Sequence, residues 1–488
     1  MPTSQTATRR RRLGVSADHD HYKWWALSCT SLGMLLATIN SGTLVIALPD
    51  LERALGVDLL TLVWVILAFM IASTVLVLTF GRLSDIFGRK KAFVLGFAVF
   101  TVASLGAGFA GGGTGLILWR VVQGIGGALL FANASALVTD AFPKEQLGVA
   151  MGTNVMVAGI GLVLGPVLGG ALVEISWHWV FWFNVPFGIA GTLWAFFVLE
   201  ELVRPEADHT FDWWGTLTFV VGLTGLTYGI SRGGIVAWDD APTIVALAAA
   251  VVLLPAFVLI ERRHRAPMLD LSLFADRGFA AATGAAFLSG LSRFALTFVF
   301  VLYFQGALGD DPIVAGIKLA PLALGMLISS PLAGAYADRH GARTLAALGM
   351  VVVAVSLAGM TTIGTGTSYV VAAFWLLLSG LGSGMFNSPN TSAMMGAVPA
   401  HRRGIAGGTR MMLQNTGSVL SIAFVLGIIT AAVPTKVLLS IFSGVSSGLS
   451  DAALKPFIHN MHTALWVLCG TAIAGALVSM ARPKAAQA

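Results

Sequence analysis

Fourteen runs of about 20 mainly apolar residues, separated by short polar connections, constrain this chain more than any other feature. A helix of that length matches the roughly 30 Å hydrocarbon core of a bilayer. The first set runs Trp24 to Leu48, Leu60 to Arg82, Lys91 to Gly111, Gly115 to Thr139, Leu147 to Val173, Trp179 to Glu200, Asp212 to Ser231 and Ala241 to Glu261. The second runs Phe279 to Gln305, Pro312 to Tyr336, Arg343 to Gly364, Tyr369 to Val398, Gly404 to Ala432 and Asn460 to Ala481. Charged side chains make up 11% of the 488 residues, where a soluble domain carries about 25%. An all-α polytopic membrane protein follows, with mean hydropathy +0.84. No connection is long enough to bury a core of its own, the longest being the first 22 residues and Pro434 to Asn460. The 23 residues before the first run are basic and polar, so that run reads as a retained span and not a secretory signal.

Orientation follows from the basic residues, because cytoplasmic connections are enriched in Lys and Arg. With both termini in the cytoplasm, one side holds Arg9 to Arg12, Lys23, Arg82, Arg89, Lys90, Lys91, Lys144, Arg204, Arg262, Arg263, Arg265, Arg277, Arg339, Arg343, Arg402, Arg403, Arg482 and Lys484, which is 21 of 29. The other side has Arg53, Arg232, Lys318, Lys436 and Lys455. The net charge of +6 therefore reflects topology and a lipid bilayer as partner, not nucleic-acid binding. Cys29 and Cys469 both lie within apolar runs, and the close pairs His19 with His21 and His459 with His462 read as ordinary surface histidines. Neither a disulfide framework nor a metal or cofactor site is expected.

An internal repeat organises the chain. Gly81, Asp85, Gly88 and Lys90 recur as Gly334, Asp338, Gly341 and Arg343 at an offset of 253. Trp119, Gly124 and Gly126 recur as Trp375, Gly380 and Gly382 at 256, and at that offset 8 of 17 positions from Gly148 to Leu164 equal those from Gly404 to Leu420. Two six-helix halves with two extra central helices are implied, a plan that places a substrate path on the axis between repeats. The expected divisions are a basic segment 1–23, an N-terminal half 24–200, linker helices with their connections 201–277, a C-terminal half 278–482 and a tail 483–488.

Three motifs sit on this frame. Gly81-Arg-Leu-Ser-Asp85-Ile-Phe-Gly88-Arg89-Lys90-Lys91 joins the second and third runs, its glycines allowing a tight turn and close helix approach. The fourth run carries Arg120-Val-Val-Gln-Gly, and an arginine inside a span costs about 2.5 to 3.5 kcal/mol on insertion scales, so it faces the bundle interior unless it snorkels outward. The fifth run carries Gly159, Gly161, Gly165, Pro166, Gly169 and Gly170, where proline bends the helix and the glycines admit a neighbour. A plain packing motif is the alternative reading.

The loop resembles the signature loop of the major facilitator superfamily at every motif position but Ile86, and the fifth run resembles that superfamily's antiporter motif. The stretch Ser176-Trp-His-Trp-Val-Phe-Trp-Phe-Asn-Val-Pro186 is similar to the start of helix 6 in its fourteen-helix drug:proton antiporters. The resemblance implies that Asp85 and Arg89 latch a cytoplasmic gate, with Gly81, Gly88, Lys90, Gly334, Asp338, Gly341 and Arg343 in the paired loops. It further implies export of hydrophobic or amphipathic small molecules across the cell membrane by alternating access, with protons as the coupling ion. One departure matters. The family's first helix usually reads Leu-Asp-x-Thr-Ile-Val-Asn-Val-Ala-Leu-Pro, and here Asn40 stands where that carboxylate would be, so Asp85, Arg120 and Asp140 become the proton-coupling candidates.

The remaining charges favour a substrate that bears negative charge. Arg120, Arg293 and Arg410 lie within spans, whereas Asp140, Glu174, Glu200, Asp212 and Glu261 sit at span ends and no carboxylate pair is visible. Asn40, Asn133, Asn154, Gln305, Asn387, Asn390, Gln414 and Asn415 lie at interior depth and complete a candidate cavity; each could equally bond a neighbouring helix. The alternatives of the same fold are a facilitator, or a lipid or anionic-metabolite exporter without proton coupling. An enzyme or sensor would need a nucleophile constellation, a nucleotide-binding loop or a sizeable extramembrane domain, and the sequence has none.

Overall fold

The computed structural model describes residues 21–143, 146–202, 212–264, 267–396, 398, 403–431, 433, 435–442 and 451–482. The side chains of Asp85 and Asp338 fall outside that description, as do those at 147–149, 151, 152, 155, 162, 163, 340, 396, 403, 404, 435, 436, 439, 442 and 451. So do Arg9 to Arg12, Lys144, Arg204, Arg265, Arg402, Lys484, most of the expected segment 1–23 and the tail 483–488.

The described residues form helices and no strands. In the N-terminal half these are α1 (Tyr22–Ile46), α2 (Leu48–Leu55), α3 (Leu59–Phe87), α4 (Arg89–Gly108), α5 (Gly113–Ala141), α6 (Leu147–Ile175), α7 (Trp179–Trp182) and α8 (Asn184–Val198). The insert is α9 (Trp213–Ile235) and α10 (Ala241–Arg263). The C-terminal half is α11 (Arg277–Val301), α12 (Pro312–His340), α13 (Ala342–Met360), α14 (Tyr369–Gly396), α15 (Arg403–Thr430), α16 (Thr435–Phe442) and α17 (Asp451–Met480). Asp58, Asp212 and Asp276 start α3, α9 and α11 by accepting from the backbone N–H three residues on, as N-caps do. Among the described residues, thirteen helices are long and apolar enough to cross a membrane. The fourteenth expected span is α9, whose tryptophans, threonines and glycines lower its hydropathy.

Several expected boundaries shift, among them the last span, which begins at Asp451 and not Asn460, and the connection before it, which holds α16. The loop from Gly81 to Lys91 is helical up to Phe87, so that only Gly88 breaks the path into α4, at φ 104°. Its repeat does the same at Gly341, φ 86°. The sixth span is divided at Phe183 between α7 and α8, and the ninth leaves α-helical geometry for one π turn, Leu302–Ala307.

Packing repeats as the sequence does. In the N-terminal half α1 packs on α6, α3 on α5, α4 on α5 and α4 on α8; in the other half α11 packs on α15, α12 on α14, α13 on α14 and α13 on α17. The contacts match in detail. A Cβ on Gly126 of α5 would stand 2.9 Å from the Gly96 carbonyl oxygen of α4, and one on Gly382 of α14 2.7 Å from that of Gly349 in α13. Gly106 faces Trp119 as Gly359 faces Trp375. Without a hydrophobic drive between helices in lipid, such backbone approach is what holds a bundle together.

α1 starts and α17 ends at one face, which also carries Lys23, Arg82, Arg89, Lys90, Arg262 and Arg277 and is termed the basic face below. The insert helices pack on each other, and α9 also lies against α3 of one half and α15 of the other. Val245, Val251, Val252 and Leu259 of α10 remain exposed, as a lipid-facing helix requires.

Candidate functional site

Each half encloses an arginine-centred polar group, and the two differ in access. Arg120, 1% exposed, donates from Nε to the Val65 carbonyl at 2.9 Å and from Nη1 to Gln123 Oε1 at 2.5 Å. Its guanidinium lies over the Phe69 ring, 4.5 Å from the centroid. Gln123 Nε2 in turn donates to Asn40 Oδ1 at 3.2 Å and to Ser104 Oγ at 2.7 Å. Four helices, α1, α3, α4 and α5, are thereby tied by one buried network. A carbonyl dipole and an aromatic face answer the charge where a carboxylate would be expected. Arg120 and Asn40 do meet through Gln123, as partners sealed within the N-terminal half and away from Arg410. Gln123, Ser104 and Phe69 were not singled out in the sequence, although Gln123 stands in the same motif, one turn after Arg120.

The C-terminal group is only half-buried. Arg410 on α15 donates from Nη1 to Gln414 Oε1 at 2.7 Å, and Gln414 Nε2 donates to Asn387 Oδ1 on α14 at 3.2 Å. Arg293 on α11 has Met326 Sδ of α12 3.7 Å from Nη1. Gly290, one turn before Arg293, is packed against the Gln414 carbonyl, one turn after Arg410, so the two arginines lie on facing, parallel helices but on opposite sides of that contact. The Nε atoms of both arginines and Nδ2 of Asn387 are buried without a hydrogen-bond partner among the described residues. Asn415, next to Gln414 in the chain, is half-buried. Two cations with spare donors, and among the described residues no carboxylate bonded to either, make this the more receptive of the two groups.

Three of the expected cavity residues pair helices, and a fourth bonds within its own. Asn154 of α6 accepts from Ser31 Oγ of α1 at 2.8 Å, Asn133 donates to Leu129 O of its own helix at 2.7 Å, and Gln305 donates to Ile46 O at 3.2 Å across the two halves. Asn390 donates to Ala282 O of α11 at 3.1 Å and accepts from Arg482, whose guanidinium burial pushes down to about 10.

At the basic face Gly88 opens the turn into α4, and the Glu201 carboxylate occupies the helix N-terminus that this exposes. Its Oε1 accepts from Arg89 N at 2.7 Å and its Oε2 from Lys90 N at 3.2 Å. An anion there is favoured by the helix dipole and by the unsatisfied N–H groups. The Arg89 side chain grips both oxygens of Asp140 at 2.7 Å, joining α4 to the end of α5. Arg343 is half-buried in the first turn of α13. Glu201 was missed in the sequence, because its partners are 112 and 111 residues away.

Pro166 and its glycines put α6 between two neighbours. A Cβ on Gly165 would stand 2.9 Å from Gly42 Cα, and one on Gly169 2.7 Å from Thr43 Cα, both in α1. Gly161 faces Thr38, while Gly159 has no atom within 4 Å. The other side meets the C-terminal half: a Cβ on Gly170 would stand 2.6 Å from Ile313 Cα, and one on Gly316 of α12 2.8 Å from the Pro166 carbonyl carbon. This seam lies toward the face opposite the basic one, where the bond from Gln305 to Ile46 also spans the halves. The halves are closed together there.

Residues 30–422 match the sequence profile of the Major Facilitator Superfamily. A tetracenomycin C resistance and export protein of Streptomyces glaucescens is 30% identical over 410 residues, which are 84% of this chain and 76% of that one. The multidrug resistance protein Stp of Mycobacterium tuberculosis (strain CDC 1551 / Oshkosh) is 32% identical over 409 residues, 83% of this chain and 75% of that one. The crystal structure of a D-xylose-proton symporter, 13% identical, superposes with a TM-score of 0.66 over 95% of this chain and 98% of that one, a likeness of fold. With repeated halves, an apolar helical body and a profile match over most of its length, this chain belongs to the Major Facilitator Superfamily.

Proposed function

We propose that the chain exports amphipathic small molecules from the cytoplasm of a bacterial cell by alternating access, in exchange for protons. The observation that carries this reading is the similarity, over more than four fifths of the chain, to a resistance and export protein and to a multidrug resistance protein. In it the basic face and both termini are cytoplasmic, residues 24–200 and 278–482 are the moving halves, and 201–277 supplies the insert. The loops at Gly81 to Lys90 and Gly334 to Arg343 form the cytoplasmic gate, and substrate binds between the halves against Arg293, Arg410, Asn387, Gln414 and Asn415. Asp140, held by Arg89, is the candidate proton carrier where Asn40 replaces the usual acid, with Asp85 and Arg120 as the others. The spare donors of Arg293 and Arg410 support a second reading, in which the cargo carries a carboxylate or phosphate and moves without proton exchange.

Purified protein in liposomes with an internal pH dye, challenged with cationic and anionic lipophilic compounds, tests both. Under the first reading a compound triggers proton movement that Asp140→Asn abolishes while binding survives. Under the second, anionic compounds cross without proton flux, and Arg410→Gln raises their KM with cationic compounds unaffected. No transport of either class defeats the proposal.

A further inference from the structure

The fold brings together two carboxylates that lie 49 positions apart in sequence, on the seam between the two insert helices. Asp212 and Glu261 are each 2% exposed. Each commits one oxygen to a backbone donor: Asp212 Oδ1 accepts from Gly215 N at 2.8 Å, and Glu261 Oε2 accepts from Leu269 N at 3.0 Å. The second oxygen of each, Asp212 Oδ2 and Glu261 Oε1, is buried with no hydrogen-bond partner among the described residues. Both point at the same place. A Cβ on Gly215 would collide with Asp212 Oδ2 and stand 2.8 Å from Glu261 Oε1. The stacked rings of Phe219 and Phe257, 4.8 Å apart, lie one to two turns deeper on the same seam, and Met268 flanks it through Thr216.

We propose that Asp212 and Glu261 form a proton-binding site within the insert, the pair holding one proton between them. Two ionised carboxylates this close, in a dry site, repel each other and lack donors, whereas one proton supplies the missing donor and halves the charge. The helix ends decide who carries it. Asp212 caps the positive N-terminus of α9, which favours an anion there, whereas Glu261 lies in the last turn of α10, at the negative end, and takes the proton on Oε1.

The charged surroundings agree with a single proton. From α3, Arg82 donates by Nη1 to the Pro267 carbonyl at 2.9 Å, two residues from the Leu269 N–H that Glu261 holds, and its Nε is buried and unpartnered among the described residues. With one proton on the pair, Arg82 and Asp212 balance. His264 Nδ1 stands 4.0 Å from Asp212 Oδ2, beyond hydrogen-bond range. Asp270 turns to Ser272 at 2.6 Å, Arg262 and Arg263 are exposed, and α15 meets α9 farther out, around Ile230 and Leu420. Among the described residues no set of three metal-ligating side chains forms, which leaves the proton as the fitting occupant. Thr79 of α3 lies 3.4 Å from Thr216 in the same seat, so the charge of the pair is set against the helix that leads into the gate.

Infrared spectra of the full chain in lipid vesicles, titrated from neutral to alkaline pH, test the site. Wild type should show a protonated-carboxyl carbonyl band at neutral pH that fades on alkalinisation and is missing from Glu261→Gln. In Asp212→Asn, with the repulsion relieved, the band should fade at lower pH than in wild type. Absence of any such band in wild type means that the pair holds no proton and overturns the proposal. A band unmoved by Asp212→Asn overturns it too, because Glu261 would then titrate alone. These two results need no folded Glu261→Gln protein.

Discussion

Gln123 satisfies three groups from three other positions at once, the Nη1 of Arg120, the amide oxygen of Asn40 and the hydroxyl of Ser104. Replacing it by leucine leaves a buried guanidinium donor and a buried amide oxygen without partners, each costing about 1 to 3 kcal/mol. The thermal unfolding midpoint of Gln123→Leu in detergent should therefore fall by several degrees, while Gln414→Leu, in a half-buried group that water can reach, should fall less. Equal midpoints would show that the N-terminal network is not the sealed scaffold described. At this scale the sequence marks Arg120, Arg293 and Arg410 alike, as cations inside apolar runs. Only folding separates them, because what distinguishes them arrives from elsewhere: the Val65 carbonyl is 55 residues from Arg120.

The elements α4 and α13 begin the same way and are held differently. Gly88 and Gly341 both adopt positive φ with extended ψ, a region that costs other residues about 1 to 3 kcal/mol. A Cβ on Gly341 would meet open space, whereas one on Gly88 would stand 2.5 Å from Glu201 Oε2 and displace the anion that caps α4. Gly88→Ala should thus destabilise more than Gly341→Ala, by about the 1 kcal/mol of a lost cap. Adding Glu201→Ala should remove that difference, which a comparison of unfolding midpoints would reveal. The long apolar spans and the repeat were legible in the sequence, since each depends on local composition or spacing; the short helices α2 and α16, and the narrowing of each paired loop to one glycine, were not. The Glu201 cap and the Asp212 with Glu261 pair were not. Their residues read as span-end acids, and nothing local says which ends converge.

For the molecule as a whole, closure rests on backbone approach between α6 and α12. A leucine at Gly316 would have to displace the Pro166 carbonyl, prising the halves apart without touching either arginine group. A cysteine at Gln305, which donates across the halves to Ile46, reports on this, because Cys29 and Cys469 are both buried. Gln305→Cys should resist a water-soluble thiol reagent in the parent and react in the Gly316→Leu background; equal reactivity would place the closure elsewhere. Two seams join the halves, α6 with α12 and α3 with α15, and α9 lies across the second alone. The insert therefore buttresses one side of the molecule only: the α3 with α15 seam has a third helix lying over it, and the α6 with α12 seam is held by its own close backbone contacts.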